Sequence, residues 1–231
     1  MEKAHNNKYT RRHFLQDIVY GGAGLVILGS FGFSIFKDEK KQVIKAIVVD
    51  FDKCAGCRTC ETACAAYNHP VEINGEKVEG LGNPFYSNIK VHHFNPDVDI
   101  PSTCAICPDP PCIAACPLAP DLKTGRKALY RDETFLTIKN DKDRCLGCAQ
   151  CAEACETLRG GVIRPNDTTN NPERMCRLCE GNPYCVKYCP YDALAYMEIP
   201  EYTDMKNLHP RKIAQHLIKK YYNIEVTEAE L

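Results

Sequence analysis

The chain has 231 residues, of which sixteen are cysteines, and its 29 basic and 30 acidic side chains give a formal net charge of −1. A near-neutral chain without a long run of one charge is not typical of nucleic-acid-binding proteins, so we exclude that class of partner. The cysteine density indicates that cross-links or metal sites, rather than a large apolar core, hold the fold together.

The N-terminal segment predicts export. Arg11 and Arg12 precede Phe14 and Leu15, and residues 18–36 carry no charge. This pattern resembles a twin-arginine signal, a route that carries proteins across the membrane already folded around their cofactors. A basic n-region before an ordinary secretory or anchor segment is the alternative.

Residues 18–36 are also long enough to span a bilayer, and Ser30 to Gly32 form a poor cleavage site. The sequence therefore leaves open whether the segment is a cleaved signal or a retained anchor. Both outcomes predict a protein in the periplasm or on the outer face of the cytoplasmic membrane.

Secondary structure is predicted around the cysteine-rich regions. A strand rich in β-branched residues covers 43–50, and a hairpin is expected around 87–94. Strands at 128–130 and 135–139 are expected to pair. From Pro210 onward, apolar residues recur on one face of a predicted helix.

The cysteines form four groups of four. The first and third groups share the spacing Cys-x2-Cys-x2-Cys-x3-Cys, while the second and fourth widen only the middle gap and end in Cys-Pro. The groups are Cys54, Cys57, Cys60 and Cys64; Cys104, Cys107, Cys112 and Cys116; Cys145, Cys148, Cys151 and Cys155; and Cys176, Cys179, Cys185 and Cys189.

This spacing is typical of bacterial ferredoxins, in which three thiolates bind one [4Fe-4S] cluster and the fourth reaches the neighbouring cluster. Three sulfurs two residues apart can surround three corners of a cube. The fourth cysteine lies beyond the loop, where a helix leads away. The sequence therefore predicts four [4Fe-4S] clusters, arranged in pairs.

Disulfides and zinc are the two alternatives. The cysteine count is even and the chain carries an export signal, as in disulfide-rich proteins, but a disulfide scaffold does not need one spacing four times. Zinc ribbons place two Cys-x2-Cys pairs well apart, whereas each group here is complete within a short segment. Both alternatives explain the repeated spacing less well than iron–sulfur clusters.

The sequence offers no catalytic residue. Complete quartets leave no iron free to bind a substrate, and no dinucleotide fingerprint or phosphate loop is found. His92 and His93 lie on the predicted hairpin, and we interpret them as exposed side chains rather than ligands. We expect a non-catalytic electron carrier.

With these motifs, the chain resembles the four-cluster, ferredoxin-like electron-transfer subunits of molybdopterin oxidoreductases of the dimethyl sulfoxide reductase type. The resemblance covers about 43–200. A narrower stretch, from Met175 to Pro190, is similar to the ferredoxin partners of tungsten-containing aldehyde oxidoreductases. Ala65 and Glu156 stand where proline often follows the fourth cysteine, so the local turn departs from the family pattern.

The resemblance implies an α+β fold of two bacterial-ferredoxin-like dicluster units, one nested in the other. Its implied segments are 1–42 as signal or anchor, 43–103 as the first part of the outer unit with an insert, 104–159 as the inner unit, 160–203 as the second part of the outer unit, and 204–231 as a C-terminal helix and tail.

The resemblance also implies which thiols share a cluster. In each set, three cysteines come from one group and the fourth comes from another. The implied sets are Cys54, Cys57, Cys60 and Cys189; Cys64, Cys176, Cys179 and Cys185; Cys104, Cys107, Cys112 and Cys155; and Cys116, Cys145, Cys148 and Cys151.

Two functions follow from these predictions. The first is a subunit that relays electrons to or from a molybdenum or tungsten pterin catalytic subunit, with a membrane quinone-reactive subunit or a cytochrome as a second partner. The alternative is a free periplasmic polyferredoxin serving several partners. Residues 181–184 and the insert at 71–99 are the candidate docking loops.

Overall fold

The computed structural model describes residues 43–201, 203 and 205–231. The predicted signal or anchor at 1–42 lies outside the described residues. Within the described ranges, no helix combines the length and the apolar character needed to cross a bilayer.

The described chain is a mixed α+β fold of short elements. The helices are α1 (Thr59–Asn68), α2 (Pro111–Ala114), α3 (Gln150–Leu158), α4 (Tyr184–Lys187) and α5 (Pro210–Tyr222). The strands are β1 (Val43–Val49), β2 (Val71–Ile73), β3 (Glu76–Val78), β4 (Ile89–Phe94), β5 (Val98–Thr103), β6 (Leu129–Arg131), β7 (Ile138–Asn140), β8 (Arg164–Pro165), β9 (Pro172–Glu173) and β10 (Leu194–Pro200). They pair antiparallel as two-stranded sheets.

The β1–β10 sheet joins the segment before the first cysteine group to the segment after the fourth. Val49 lies opposite Leu194. β1 buries Ile44 and Ala46 on its inner side. The strand predicted at 43–50 is confirmed, and its pairing with β10 is an addition that the sequence analysis did not contain.

The β6–β7 hairpin precedes the third cysteine group. The predicted strands at 128–130 and 135–139 pair as expected, but β7 begins only at Ile138. Asp132 accepts a hydrogen bond from the backbone N–H of Phe135 at 2.9 Å, so part of the predicted strand forms a turn.

The β4–β5 hairpin is longer than predicted. Residues 87–94 were expected to contain the hairpin, but β4 alone occupies most of that range and β5 follows it. The predicted extent was wrong because β5 contains Pro101, which removes a backbone donor and weakens the strand pattern.

Helix α5 confirms the predicted C-terminal helix. Pro210 occupies its first turn, where no N–H is needed, and the His209 ring nitrogen accepts a hydrogen bond from the N–H of Arg211 at 3.2 Å. The helix ends at Asn223, in a left-handed conformation. Its inner face packs on β5.

Buried side chains form three cores. The first core includes residues of β1, α1, β4 and β10, and the second includes residues of β6, β7 and α3. The third core lies between β5 and α5 and consists of Val98, Ile100, Ile213, Ala214, Leu217 and Ile218. Cysteines contribute to the first two cores and not to the third.

Candidate metal centres

Three cavities are each lined by four cysteine thiols. In every case three thiols come from one group and one from another. The three sets are Cys54, Cys57, Cys60 and Cys189; Cys64, Cys176, Cys179 and Cys185; and Cys116, Cys145, Cys148 and Cys151.

The remaining cysteines also lie near one another. Burial raises the pKa of Cys104 to about 12 and raises the pKa of Cys107 and Cys112. The negative charge of Cys155 adds to each of these three shifts. Charge effects of this kind require proximity, so the four thiols form a fourth neighbourhood.

The donor set suits iron–sulfur clusters better than single ions. All sixteen cysteines lie in the described part of the chain, and none forms a disulfide. Among the described residues, no three His, Cys, Asp or Glu side chains converge on one point. A zinc ion needs such convergence, because its Zn–S distances are about 2.3 Å. Four thiols spaced around a cavity fit a larger, multi-iron group.

Burial keeps the metal-free thiols protonated. The pKa of Cys60 is raised to about 12, first by burial and then by the neighbouring carboxylate of Glu61. Burial likewise raises the pKa of Cys151 to about 11. Because iron binds thiolates, assembly of the clusters must displace these protons, and binding stabilises the folded chain.

The loops of the first and third groups share one backbone conformation. Gly56 and Arg58 have positive φ angles of 62° and 60°, and the equivalent Gly147 and Ala149 have 62° and 60°. A helix, α1 or α3, begins directly after each loop. The repeated spacing therefore folds into a repeated shape that directs three thiols inward.

Backbone and amide N–H groups donate to the thiols. Cys64 Sγ accepts from the N–H of Asn88 and from Asn68 Nδ2, both at 3.3 Å. The N–H of Ala193 donates to Cys189 Sγ at 3.3 Å. Such hydrogen bonds stabilise negative charge on sulfur and tune cluster potentials. The sequence analysis missed Asn68, although its position one helical turn after Cys64 is the signal that indicates it.

Glu61 is a second residue that the sequence analysis missed. Its carboxylate is 2% exposed, accepts from the N–H of Val91 at 2.6 Å and pairs with Arg58 at 2.6 Å. It therefore ties the loop of the first cysteine group to β4. A buried carboxylate is tolerated here because both oxygens have partners.

Cations also hold the loops of the second group. Lys127 Nζ donates to the carbonyl oxygens of Ile113 and Cys116, at 3.2 and 2.8 Å, at the end of α2. Arg131 donates to the carbonyl oxygen of Cys107 at 2.8 Å. These contacts satisfy backbone acceptors that a short helix and an irregular loop leave free.

The two histidines differ. His93 is exposed and pairs with Asp99. His92 is half-buried, and burial lowers its pKa to about 4. The prediction that both are exposed is thus confirmed for His93 and wrong for His92.

No protein-family profile matches the sequence. The polyferredoxin-like subunit of the aliphatic sulfonate oxidoreductase of Pyrococcus furiosus is 33% identical over 143 residues, covering 62% of this chain and 70% of that protein. The B subunit of the anaerobic dimethyl sulfoxide reductase of Shigella flexneri is 32% identical over 161 residues, which cover 66% of this chain and 73% of that protein. This chain belongs to the ferredoxin-like electron-transfer subunits of oxidoreductases. The family resemblance predicted from the cysteine spacing is confirmed.

Family membership fixes the general function. The chain is an iron–sulfur electron-transfer subunit, and the free-carrier alternative is not favoured. The ferredoxin-like protein YdhX of Escherichia coli is 28% identical over 238 residues, which cover 92% of this chain and 98% of that protein. Among solved structures, the active site complex BamBC of benzoyl coenzyme A reductase aligns with 78% of this chain at 25% identity and a TM-score of 0.37.

Proposed function

We propose that the chain relays electrons through four [4Fe-4S] clusters to or from a molybdenum or tungsten pterin catalytic subunit. The observation that carries this proposal is the grouping of thiols, because each neighbourhood combines three cysteines of one group with one cysteine of another. A [4Fe-4S] cluster supplies a one-electron redox couple in a site of this kind. The protein supplies the thiolates, the surrounding N–H donors and the exclusion of water.

The shared cores support a linear order. Cys60 of the first set and Cys185 of the second set lie in the first core. Cys104 of the third set packs against the same core. Cys151 shares the second core with cysteines of the third set. We infer a row that begins at the set containing Cys54 and ends at the set containing Cys145.

A row of four centres has two functional ends. One end would exchange electrons with the pterin subunit and the other with a second partner, a membrane quinone-reactive subunit or a cytochrome. The names of relatives support a catalytic partner, since the related proteins are called subunits of a sulfonate oxidoreductase, a thiosulfate reductase and a dimethyl sulfoxide reductase.

We also propose export by the twin-arginine route. Arg11 and Arg12 and the uncharged segment behind them support it. Replacing both arginines by lysine keeps the charge, so the variant is expected to stay in the cytoplasm with its clusters assembled. Unchanged localisation in a cell-fractionation assay would reject this route.

Elemental analysis tests the cluster count. The anaerobically purified chain is expected to hold about sixteen iron and sixteen sulfide per polypeptide, four of each per cubane. A value near eight of each, or zinc in place of iron, would contradict the proposal. Substrate turnover by the isolated, fully loaded chain with a redox dye would contradict its non-catalytic role.

A further inference from the structure

An open cleft lies between the insert and the β8–β9 region. Its walls come from the start of α1, from the turn that contains Pro84 and Phe85, from β4, from β8 and from Arg174, which directly follows β9. We name it the basic cleft, because its lining contains four cationic side chains and one carboxylate. The cations are Arg58, Lys90, Arg164 and Arg174, and the carboxylate is Glu61.

Of the four cations of the basic cleft, Arg58 alone forms an ion pair with a described residue, the carboxylate of Glu61. That carboxylate also accepts from the backbone N–H of Val91 and is not available to the other three cations. Lys90 and Arg164 form no ion pair with any other described residue. A protein of net charge −1 thus concentrates unpaired cations at one place.

Arg174 is a cation of the cleft that lacks a partner for its charge in the described part of the chain. Its Nε atom is buried and has no hydrogen-bond partner among the described residues. Neither Glu173 nor Asp167 lies within ion-pair distance of it. An external carboxylate would relieve this energetic cost.

Aromatic side chains border the cations. The Arg174 guanidinium stacks on Phe85, 4.1 Å from the ring centroid, and lies 5.7 Å from the centroid of Tyr86. Both rings are nearly half exposed, and Leu81, in the same loop, is 95% exposed. Aromatic residues and arginine are enriched among the hot-spot residues at the centres of protein–protein interfaces.

We infer that the basic cleft receives an acidic segment of the catalytic subunit, with apolar side chains that cover Phe85, Tyr86 and Leu81. This inference rests on the proposed function and specifies the chemistry of its partner. A free oxyanion fits less well, because the cations are spread over several elements around a wide, open cleft. Arg58, which also lines the cleft, lies between Cys57 and Cys60 in the chain, so the docked segment would lie beside the first thiol set, at one end of the inferred row.

The test uses the complex of the full chain with the pterin-containing subunit that co-purifies with it. The double variant Lys90→Glu/Arg164→Glu is expected to raise the Kd of the complex by about tenfold to a hundredfold, chiefly because the association rate constant falls. The Kd of this variant should also depend less on salt concentration. The milder Lys90→Gln/Arg164→Gln variant is expected to have a Kd between those of the unmodified chain and the double variant. Iron content and visible absorption of each variant report whether the chain still folds around its clusters.

Lys123→Glu is the matched control, since Lys123 is exposed, lies outside the cleft and forms no ion pair with a described residue. Equal weakening by this control, or an unchanged affinity and salt slope in the double variant, would overturn the inference. Tight binding of inorganic sulfate by the isolated chain, lost in the double variant while the complex keeps its affinity, would assign the cleft to small anions instead. If the unmodified chain binds no pterin subunit, the proposed function fails as well.

Discussion

The second and third cores differ in what fills them. Cys112, Cys151 and Cys155 are among the eight buried residues of the second core. The third core contains only aliphatic side chains, from β5 and α5. We infer that in the second core a cofactor would replace apolar volume that the short β6 and β7 strands do not supply, whereas the third core is filled by hydrophobic burial. On this inference the fold combines a cofactor-dependent part and a self-sufficient part.

Removal of iron should have the largest effect. When an anaerobic chelator strips the full chain, we expect hydrogen-exchange protection to be lost in β6 and β7 and to persist in the centre of α5, because the second core loses its cofactor whereas the third core contains none of the cysteines. The measurement is exchange mass spectrometry before and after chelation. Equal loss in both regions would show that the two cores do not differ in this way.

Leu217→Ala is the converse experiment. Leu217 is buried in the third core, so its truncation is expected to lower the free energy of unfolding by about 2–5 kcal/mol. Iron content should remain that of the unmodified chain. Ile224→Ala, at an exposed position just beyond α5, serves as the control and is expected to change stability by less than about 0.5 kcal/mol. Loss of clusters in Leu217→Ala alone would show that the third core supports the metal sites.

Glu61→Gln tests the link between a cysteine loop and β4. The amide can still accept from Val91 but cannot pair ionically with Arg58, which is half exposed and can be solvated. We expect the free energy of unfolding to fall by about 1–3 kcal/mol and iron to be released faster on exposure to chelator. Glu72→Gln, on the exposed β2 strand, should behave as the unmodified chain. Indistinguishable iron release from the two variants would reject the link.

His92 should give a smaller, pH-dependent effect. Burial lowers its pKa from the ordinary 6.5 to about 4, so the unfolded chain binds a proton more readily than the folded chain. The stability that neutral His92 contributes is present above pH 6.5 and is lost as the pH falls towards 4.

His92→Gln is therefore expected to reduce the difference in unfolding free energy between pH 7 and pH 5 by about 1 kcal/mol, and denaturant titrations at the two pH values measure it. A difference equal to that of the unmodified chain would contradict the role of burial.

The sequence predicts the parts of the molecule that are encoded by neighbouring residues. The repeated cysteine spacing specifies repeated loops, as the matching φ angles at Gly56 and Gly147 show. The apolar periodicity after Pro210 specifies α5. The start of β7 was misplaced because the carboxylate of Asp132 accepts from the N–H groups of Thr134 and Phe135 and so holds strand-like residues in a turn.

Features that join distant segments could not be predicted in the same way. The partner of β1 lies more than a hundred residues away, in a strand whose alternation is weak. The basic cleft combines Lys90 and Arg164 with aromatic residues of the insert, none of which forms a motif in sequence. Tertiary packing alone brings these residues together.

Cys189→Ala tests whether the thiol sets are crossed between the cysteine groups. Electron paramagnetic resonance of the reduced chain would be compared for Cys189→Ala, Cys54→Ala and Cys179→Ala. The account predicts that the first two variants lose or alter the same cluster signal, because Cys189 lines the cavity of Cys54, and that Cys179→Ala alters a different one. If Cys189→Ala instead alters the signal that Cys179→Ala alters, the crossed assignment is contradicted.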